Sequence, residues 1–254
     1  MADARSVIVD GHRIVYDAVG NGPALMLVPG FMMHRGRWHH WGYVDRLRTD
    51  YRVLAVDPLG HGESDKPHDP SAYSWSACAR HVLAVLDAEN VDHAALWGYS
   101  RGSALVAAVL TRHPGRMWAA VLGGVGLEDE TESTEAQHTA LERGDWDGYW
   151  STSRIPLPPE VRAWMSELND PLAMAAAARG GRLEPFDVPA GPVPVLIYNG
   201  DGEDPIVQSC EEARARGFEC HVLPTGGHGE TFSAMSACCD LVEPFLASAI
   251  PLGA

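Results

Sequence analysis

The chain has 254 residues, of which 46% are hydrophobic and 21% are charged. This composition is typical of globular proteins and excludes disordered, collagenous or fibrous chains, and the length is that of one ordinary domain. Acidic residues outnumber basic ones by 34 to 19, which gives a net charge of -15. Because an acidic surface repels phosphate backbones and anionic lipids, we expect neither nucleic acid nor a membrane as a partner. The sequence leaves a homodimer open.

The five cysteines are an odd number, and their spacing matches neither a disulfide framework nor a repeated Cys-x-x-Cys zinc site. We therefore expect a reducing compartment. The first eleven residues alternate as a strand would and lack the basic and apolar regions of a signal peptide. The longest apolar stretches fall well short of the roughly 20 residues that cross a bilayer. Together these features predict a cytoplasmic protein.

Strand patterns recur along the chain, starting with a hairpin. Two alternating runs, 7–9 and 13–16, flank the turn dipeptide Asp10-Gly11 and predict an antiparallel hairpin. Continuous apolar runs follow at 24–28, 53–56, 94–97, 121–122 and 195–198. Runs without alternation are typical of parallel strands covered on both faces. Helical patterns lie between these runs, for example over residues 73–89. This alternation predicts an α/β fold.

The alternation breaks between residues 128 and 192, where helical patterns occur at 134–143, 159–169 and 171–179 after an acidic run. We interpret 128–192 as a helical cap, or lid, inserted into a core of residues 1–127 and 193–254. Six residues are candidates for an apolar pocket near the cap, although such residues are also typical of a core. They are Met32, Met33, Trp38, Trp146, Trp150 and Trp164.

The motif Gly98-Tyr99-Ser100-Arg101-Gly102 lies between the predicted strand 93–97 and the apolar helix 103–110. A serine in a sharp strand-to-helix turn needs small residues two positions before and after it, because the two backbones approach closely there. The turn lifts the Ser100 hydroxyl above the sheet, and the Arg101 amide at the helix N-terminus can stabilise an oxyanion. Ser100 is therefore the candidate nucleophile.

With this motif the sequence resembles the α/β-hydrolase superfamily, in particular serine esterases with a short helical lid. The segment Leu27-Val28-Pro29-Gly30-Phe31 is similar to the family's oxyanion loop, with Pro29 in place of the common histidine, which implies that the Phe31 amide is the second oxyanion donor. Residues 57–67 are similar to the loop after the fourth strand, which implies a structural role for that loop and for His61. The resemblance implies an α/β-hydrolase fold, with a mostly parallel eight-stranded sheet, helices on both faces and a helical cap insertion.

A nucleophilic serine needs a histidine that accepts its proton and a carboxylate that orients the histidine. In this fold the order along the chain is serine, acid, histidine, which leaves His138, His221 and His228. His228 lies in Gly226-Gly227-His228-Gly229, which is similar to the last motif of the family, and is the candidate base. His221 lies within a strand pattern, and His138 lies in the predicted cap.

Three carboxylates after the strand pattern 195–198 compete for the role of the acid. Asp204 matches the family's placement best if one residue is inserted after Gly200. Asp201 is the runner-up and Glu203 is third. Some family members carry the acid after the sixth strand instead, which here corresponds to Glu128 or Asp129.

The residue after the nucleophile is unusual, because the family more often has a neutral residue where this chain has Arg101. Its guanidinium could bind an acidic group of a substrate or pair with a carboxylate such as Glu63 or Asp204. Both alternatives stay open from the sequence.

We expect neither a cofactor nor a metal. No dinucleotide or Walker motif follows a strand, and His34, His39 and His40 with Asp45 lack the spacing of a metal site. The sequence predicts a serine hydrolase that cleaves a carboxylic ester or lactone of a small-molecule substrate through an acyl-enzyme. Other activities of the superfamily stay open as alternatives: carbon-carbon bond hydrolysis, acyl transfer, perhydrolase or haloperoxidase activity, and cofactor-independent oxygenation. The least favoured alternative is a non-catalytic protein that binds a small molecule.

Overall fold

A single sheet organises the computed structural model, which describes residues 4–126, 135–153, 157–185, 187–203 and 206–251, with no side chains described at 206–209. The eight strands within these ranges are β1 (Arg5–Val9), β2 (His12–Val19), β3 (Ala24–Val28), β4 (Arg52–Asp57), β5 (Ala94–Tyr99), β6 (Met117–Gly123), β7 (Val195–Gly200) and β8 (Glu219–Leu223). Their order is β1-β2-β4-β3-β5-β6-β7-β8. All neighbours from β4 to β8 are parallel, which confirms the predicted mostly parallel, eight-stranded sheet.

The sheet begins with the predicted antiparallel hairpin of β1 and β2. Its turn residues Asp10 and Gly11 have φ values of 52° and 82°. Positive φ at both central residues is what a two-residue turn of type I′ requires, and aspartate followed by glycine tolerates it well. The hairpin joins the parallel part through β2, which pairs antiparallel with β4.

Helices connect the strands along the described ranges. They are α1 (Gly36–His40), α2 (Tyr43–Leu47), α3 (Trp75–Ala88), α4 (Arg101–Arg112), α5 (Glu135–Glu142), α6 (Trp146–Thr152), α7 (Pro159–Leu168), α8 (Pro171–Gly180), α9 (Ile206–Ala215), α10 (His228–Ser233) and α11 (Met235–Ala249). None of the helices described is long and apolar enough to cross a membrane.

The central strand β3 shows why its sequence is a continuous apolar run. Met26 and Val28 belong to the core cluster that includes residues of α3 and α4, whereas Leu25 and Leu27 belong to the cluster that includes α1, α2 and α11. Successive side chains of a strand point to opposite faces, so a strand covered by helices on both sides needs an apolar residue at every position. This confirms helices on both faces of the sheet.

In the part of the chain that the structure describes, four helices, α5 to α8, lie between β6 and β7, and we call them the cap helices. The helix α6 had no counterpart in the sequence analysis, because it is short and begins with Trp146, Asp147 and Gly148 rather than with a periodic apolar pattern. Asp145 caps it by accepting a hydrogen bond from the amide of Gly148 at 2.8 Å. The acidic run at 128–134 lies outside the described residues. The division into a core and a cap domain stays our interpretation.

The cap helices enclose an apolar cluster with the loop that follows β3. Of the six pocket candidates, Met32, Trp146, Trp150 and Trp164 lie in or against this cluster. Trp38 instead lies in the core, with its ring centroid 4.8 Å from that of Tyr43, and Met33 packs on the same side. The apolar surface that faces the cap is therefore smaller than the sequence suggested.

Cys210 on α9 and Cys220 on β8 form a disulfide, with their Cα atoms 5.5 Å apart. The expectation that the cysteines form no disulfide was wrong for this pair, because the turn between α9 and β8 folds two positions ten residues apart against each other. The cysteines Cys78, Cys238 and Cys239 are free and buried. Since disulfides are rare in the cytosol, this bond weighs against the expected reducing compartment, and the cytoplasmic location stays a prediction.

Candidate active site

Ser100 lies in the turn between β5 and α4 with φ and ψ of 54° and -126°. A positive φ is uncommon for a residue with a Cβ and costs free energy, so the surrounding structure must hold it in place. The amide of Ser100 donates a hydrogen bond of 2.7 Å to the carbonyl oxygen of Gly123 at the end of β6. The neighbouring strand thereby fixes the turn that presents the half-buried serine.

The two glycines of the motif are required by close backbone packing. A Cβ on Gly102 would collide with the carbonyl oxygen of Val28 on β3, and a Cβ on Gly98 would collide with the backbone of Gly102. The strand and the helix can meet at this angle only if both positions lack a side chain. The structure thus bears out the reason that the sequence analysis gave for both glycines.

The loop after β3 lies directly against the serine. A Cβ on Gly30 would be 3.2 Å from Cβ of Ser100 and 3.7 Å from its Oγ. Phe31 follows in this loop, and Arg101 is the first residue of α4, where an amide has no acceptor within the helix. The loop is also tied to the cap, since Nδ2 of Asn169 donates to the carbonyl oxygen of Met32 at 3.1 Å. This arrangement is compatible with the two predicted oxyanion donors.

His228 lies beside this turn and pairs with a carboxylate. Its Nδ1 is 3.0 Å from Oε2 of Glu203. The hydroxyl of Tyr99 donates to the carbonyl oxygen of His228 at 2.6 Å, and the two rings are 5.0 Å apart between centroids. A Cβ on Gly124 would lie 2.8 Å from Cε1 of the imidazole. Contacts with Tyr99, the residue before Ser100, and with Gly124, the residue after the acceptor of the Ser100 amide, place the imidazole beside the serine turn.

Of the two described carboxylates after β7, Glu203, which the sequence ranked third, contacts the imidazole, whereas Asp201 does not. The runner-up Asp201 accepts a hydrogen bond from the amide of Gly226 at 2.8 Å and so stabilises the loop before His228. Asp204 lies outside the described residues, as do Glu128 and Asp129. The ranking assumed an inserted residue after Gly200. Glu203 needs no inserted residue, because it already lies three residues after Gly200.

The other histidines considered for the base lie elsewhere. His221 pairs within β8 with Glu219, at 2.9 Å between Nε2 and Oε1, and His138 is buried in α5. His61 is fully buried, its Nδ1 lies 3.0 Å from the carbonyl oxygen of Leu59, and burial lowers its pKa to about 4. It is therefore neutral at pH 7, and its ring packs edge-on against Phe31, consistent with support of the oxyanion loop.

The loop at 57–67 is built around a buried carboxylate. Asp57 accepts hydrogen bonds from the amides of Arg35 and Glu63, at 2.7 and 2.9 Å, and pairs with the Arg35 guanidinium. Arg35 also contacts Asp17, which in turn lies 3.0 Å from Nε2 of His39. In the described ranges no three His, Cys, Asp or Glu side chains are placed to hold a metal ion.

The side chain of Arg101 reaches from the turn to the cap helices. Its Nη2 donates to the carbonyl oxygen of Ala177 on α8 at 2.7 Å, and its guanidinium carbon lies 5.0 Å from the ring centroid of Trp75. Glu63, one of its two expected carboxylate partners, pairs with Arg35 at 2.7 Å. The Arg101 guanidinium thus joins the nucleophile turn to α8, a contact that the sequence did not indicate.

A family model described as "alpha/beta hydrolase fold" matches residues 23–152, just over half of the chain, including the oxyanion loop and the serine turn. The chain belongs to the α/β-hydrolase family. In this α/β-hydrolase the serine turn, the predicted oxyanion loop and the His228 loop all follow carboxyl ends of parallel strands.

Individual relatives of this α/β-hydrolase have varied names. A 2-hydroxymuconate semialdehyde hydrolase of Pseudomonas sp. (strain CF600) is 35% identical over 121 residues, which cover 47% of this chain and 42% of that protein. A 2-hydroxy-6-oxo-2,4-heptadienoate hydrolase of Pseudomonas putida is 34% identical over 128 residues, which cover 50% of this chain and 46% of that protein. The chain therefore spans about half the length of these curated relatives.

Among solved structures, the enol-lactonase from Burkholderia xenovorans LB400 superposes with a TM-score of 0.80. The two proteins are 21% identical, and the match covers 96% of this chain and 100% of the other. At this level of identity the similarity shows the fold.

Proposed function

We propose that this α/β-hydrolase cleaves a carboxylic ester or lactone of a small organic substrate through an acyl-enzyme on Ser100. The observation that carries the proposal is the His228 and Glu203 pair beside a serine held at positive φ. An imidazole oriented by a carboxylate is what a weakly nucleophilic hydroxyl needs, and a backbone that costs free energy to form is typical of a functional turn.

The proposed reaction uses groups that the fold already orients. Because Nδ1 of His228 faces Glu203, Nε2 is the nitrogen left to accept the Ser100 proton. The amides of Phe31 and Arg101 stabilise the oxyanion as the serine attacks the carbonyl carbon, and the imidazolium then returns the proton to the leaving alcohol. Water, deprotonated by the same imidazole, releases the acid and restores Ser100.

The surroundings favour a substrate with an apolar part. Leu157, in the segment before α7, has its Cδ2 3.9 Å from where a Cβ on Gly229 would lie, so the cap reaches the residue after His228. Leu157 packs against the apolar cluster of Met32, Trp150 and Met165. An acyl or alkyl group placed between this cluster and Ser100 would be shielded from water.

Carbon-carbon bond hydrolysis is the second candidate, because two relatives about one third identical over half of the chain are named as hydrolases of a semialdehyde and of an oxo-dienoate. Neither name denotes an ester. The same serine, base and oxyanion donors serve both reactions in this superfamily, so the substrate decides between them.

The test is hydrolysis of p-nitrophenyl esters from acetate to decanoate by the wild type, Ser100→Ala and the control Ser248→Ala, whose serine is exposed on α11. Intact mass is measured after treatment with a serine-reactive organophosphate. Activity that is lost only in Ser100→Ala, with one adduct on Ser100, supports the ester hydrolase. An adduct without ester turnover favours carbon-carbon hydrolysis or another reaction of the fold. A folded protein with neither result favours a binding protein.

A further inference from the structure

Arg37, on α1 where this helix meets the cap, differs from the half-buried arginines that form ion pairs. Its guanidinium carbon lies 4.8 Å from the ring centroid of Trp164 on α7 and 5.6 Å from that of Trp41. Its Nε is buried and has no hydrogen-bond partner among the described residues. Burial lowers the pKa of Arg37, and no carboxylate in the described ranges counteracts this effect. The two indole rings hold a cation that has lost part of its water and that no carboxylate of the described residues contacts.

Three other half-buried arginines form ion pairs with carboxylates. Arg35 contacts three carboxylates, Arg52 pairs with Glu89, and Arg112 pairs with Glu184 at 2.6 Å. Removing a charge from water is costly, and contact with indole rings offsets only part of that cost. In a chain with 34 acidic residues, a half-buried arginine that no described carboxylate contacts is a candidate binding site for an anion.

The position of Arg37 connects it to the candidate active site. Trp164, which covers the Arg37 guanidinium, also packs against the apolar cluster that contains Met32. Phe31 packs against the same cluster. The helix α7 ends at Leu168, and the next residue, Asn169, holds the carbonyl oxygen of Met32. Arg37 therefore lies at the same boundary between the core and the cap helices as the predicted oxyanion loop.

We propose that Arg37 binds a carboxylate group of the substrate, with Trp41 and Trp164 holding the guanidinium in place. The ligand class is an ester or lactone that carries a free carboxylate at a distance from the scissile bond, so the inference rests on the proposed function. The planar guanidinium presents two parallel donors that match a carboxylate. A protein with a net charge of -15 repels such an anion overall, and the Arg37 cation, which no described carboxylate contacts, supplies the local attraction.

The test compares mono-p-nitrophenyl esters of dicarboxylic acids, from succinate to suberate, with neutral p-nitrophenyl esters of matched chain length. The enzymes are the wild type, Arg37→Met, Arg37→Lys and the control Arg48→Met, which removes an exposed arginine paired with Asp45. We expect Arg37→Met to lower kcat/KM for the best acidic ester about 10- to 100-fold more than for its neutral partner, mainly through KM. Arg37→Lys retains part of the preference, and Arg48→Met leaves the ratio unchanged.

Equal losses of kcat/KM on acidic and neutral esters would overturn the proposal, because a purely structural role of Arg37 at the boundary between core and cap does not distinguish the two substrates. Thermal unfolding shows whether each variant is folded. If Arg37→Met is unfolded, Arg37→Lys, which keeps the charge, is compared with the wild type instead.

A second arm does not depend on turnover. Binding of the free dicarboxylates, succinate to suberate, is measured by calorimetry on the wild type and on Arg37→Lys and Arg37→Met. Binding that weakens at least tenfold in Arg37→Met supports the site even if no ester is cleaved, in which case only the proposed function fails. Absent binding, or binding equal in all three proteins, overturns the site while leaving ester hydrolysis by Ser100 intact.

Discussion

Oε2 of Glu203 lies 3.0 Å from Nδ1 of His228, although 25 residues separate the two along the chain. The strands β7 and β8 are adjacent and parallel, and the contact joins the loops that follow them. We expect Glu203→Gln to lower kcat about 10³- to 10⁴-fold, because an amide can hold the imidazole in the wrong tautomer and does not stabilise its cation. Steady-state kinetics on the best ester measure the effect.

The control for this prediction is Asp201→Asn, which alters a carboxylate of the same turn that accepts from the amide of Gly226 instead. It should change kcat far less than Glu203→Gln. If Asp204→Asn removes activity and Glu203→Gln does not, then Asp204 is the acid and the Glu203 contact is not used in the reaction.

Gly102→Ala should prevent the nucleophile turn from forming. Its Cβ would collide with the backbone of β3, which cannot move without disrupting the sheet, so we expect a loss of about 3 kcal/mol of unfolding free energy. Gly115→Ala is the matched control, because nothing lies within 4 Å of a Cβ at that position. Urea unfolding of both variants tests the difference, and similar midpoints would contradict the packing argument.

The disulfide between Cys210 and Cys220 should contribute about 3 kcal/mol, the value expected for closing a loop of roughly ten residues. A reductant should therefore lower the Tm of the wild type. The double variant Cys210→Ser/Cys220→Ser should unfold at the lower temperature with or without reductant. An unchanged Tm of the wild type under full reduction, verified by thiol titration, would show that the bond does not stabilise the protein.

Buried histidines should make the protein less stable in mild acid. Burial lowers the pKa of His81 to about 4, and neither ring nitrogen has a hydrogen-bond partner within the described ranges. Below pH 6.5 the unfolded chain therefore binds a proton that the folded state does not, so His81 costs about 2 kcal/mol of stability between pH 7 and pH 5. His61 acts in the same direction.

Unfolding free energies at pH 7 and pH 5 test this linkage. His81→Leu should reduce the fall in stability by about 2 kcal/mol, whereas His40→Gln, at an exposed site, should leave it unchanged. An identical fall in His81→Leu and the wild type would mean that His81 is protonated in the folded state at pH 5.

The hairpin, the parallel strands and the serine turn could be predicted because each is encoded by neighbouring residues. Asp10-Gly11 tolerates positive φ at both positions, β3 is apolar at every position because helices cover both faces, and Gly98 and Gly102 flank Ser100 at the spacing that close packing requires. The family resemblance rests on the same local segments, which is why it also predicted the number of strands.

The choice among distant partners was decided by the tertiary structure. Three carboxylates follow β7 within four residues, and only the path of the turn brings Glu203 rather than Asp201 to His228. The pairing of Cys210 with Cys220 and the enclosure of Arg37 between Trp41 and Trp164 likewise join separate segments. Local propensities act over a few residues, whereas side-chain contacts between segments depend on how the whole sheet and the cap are packed.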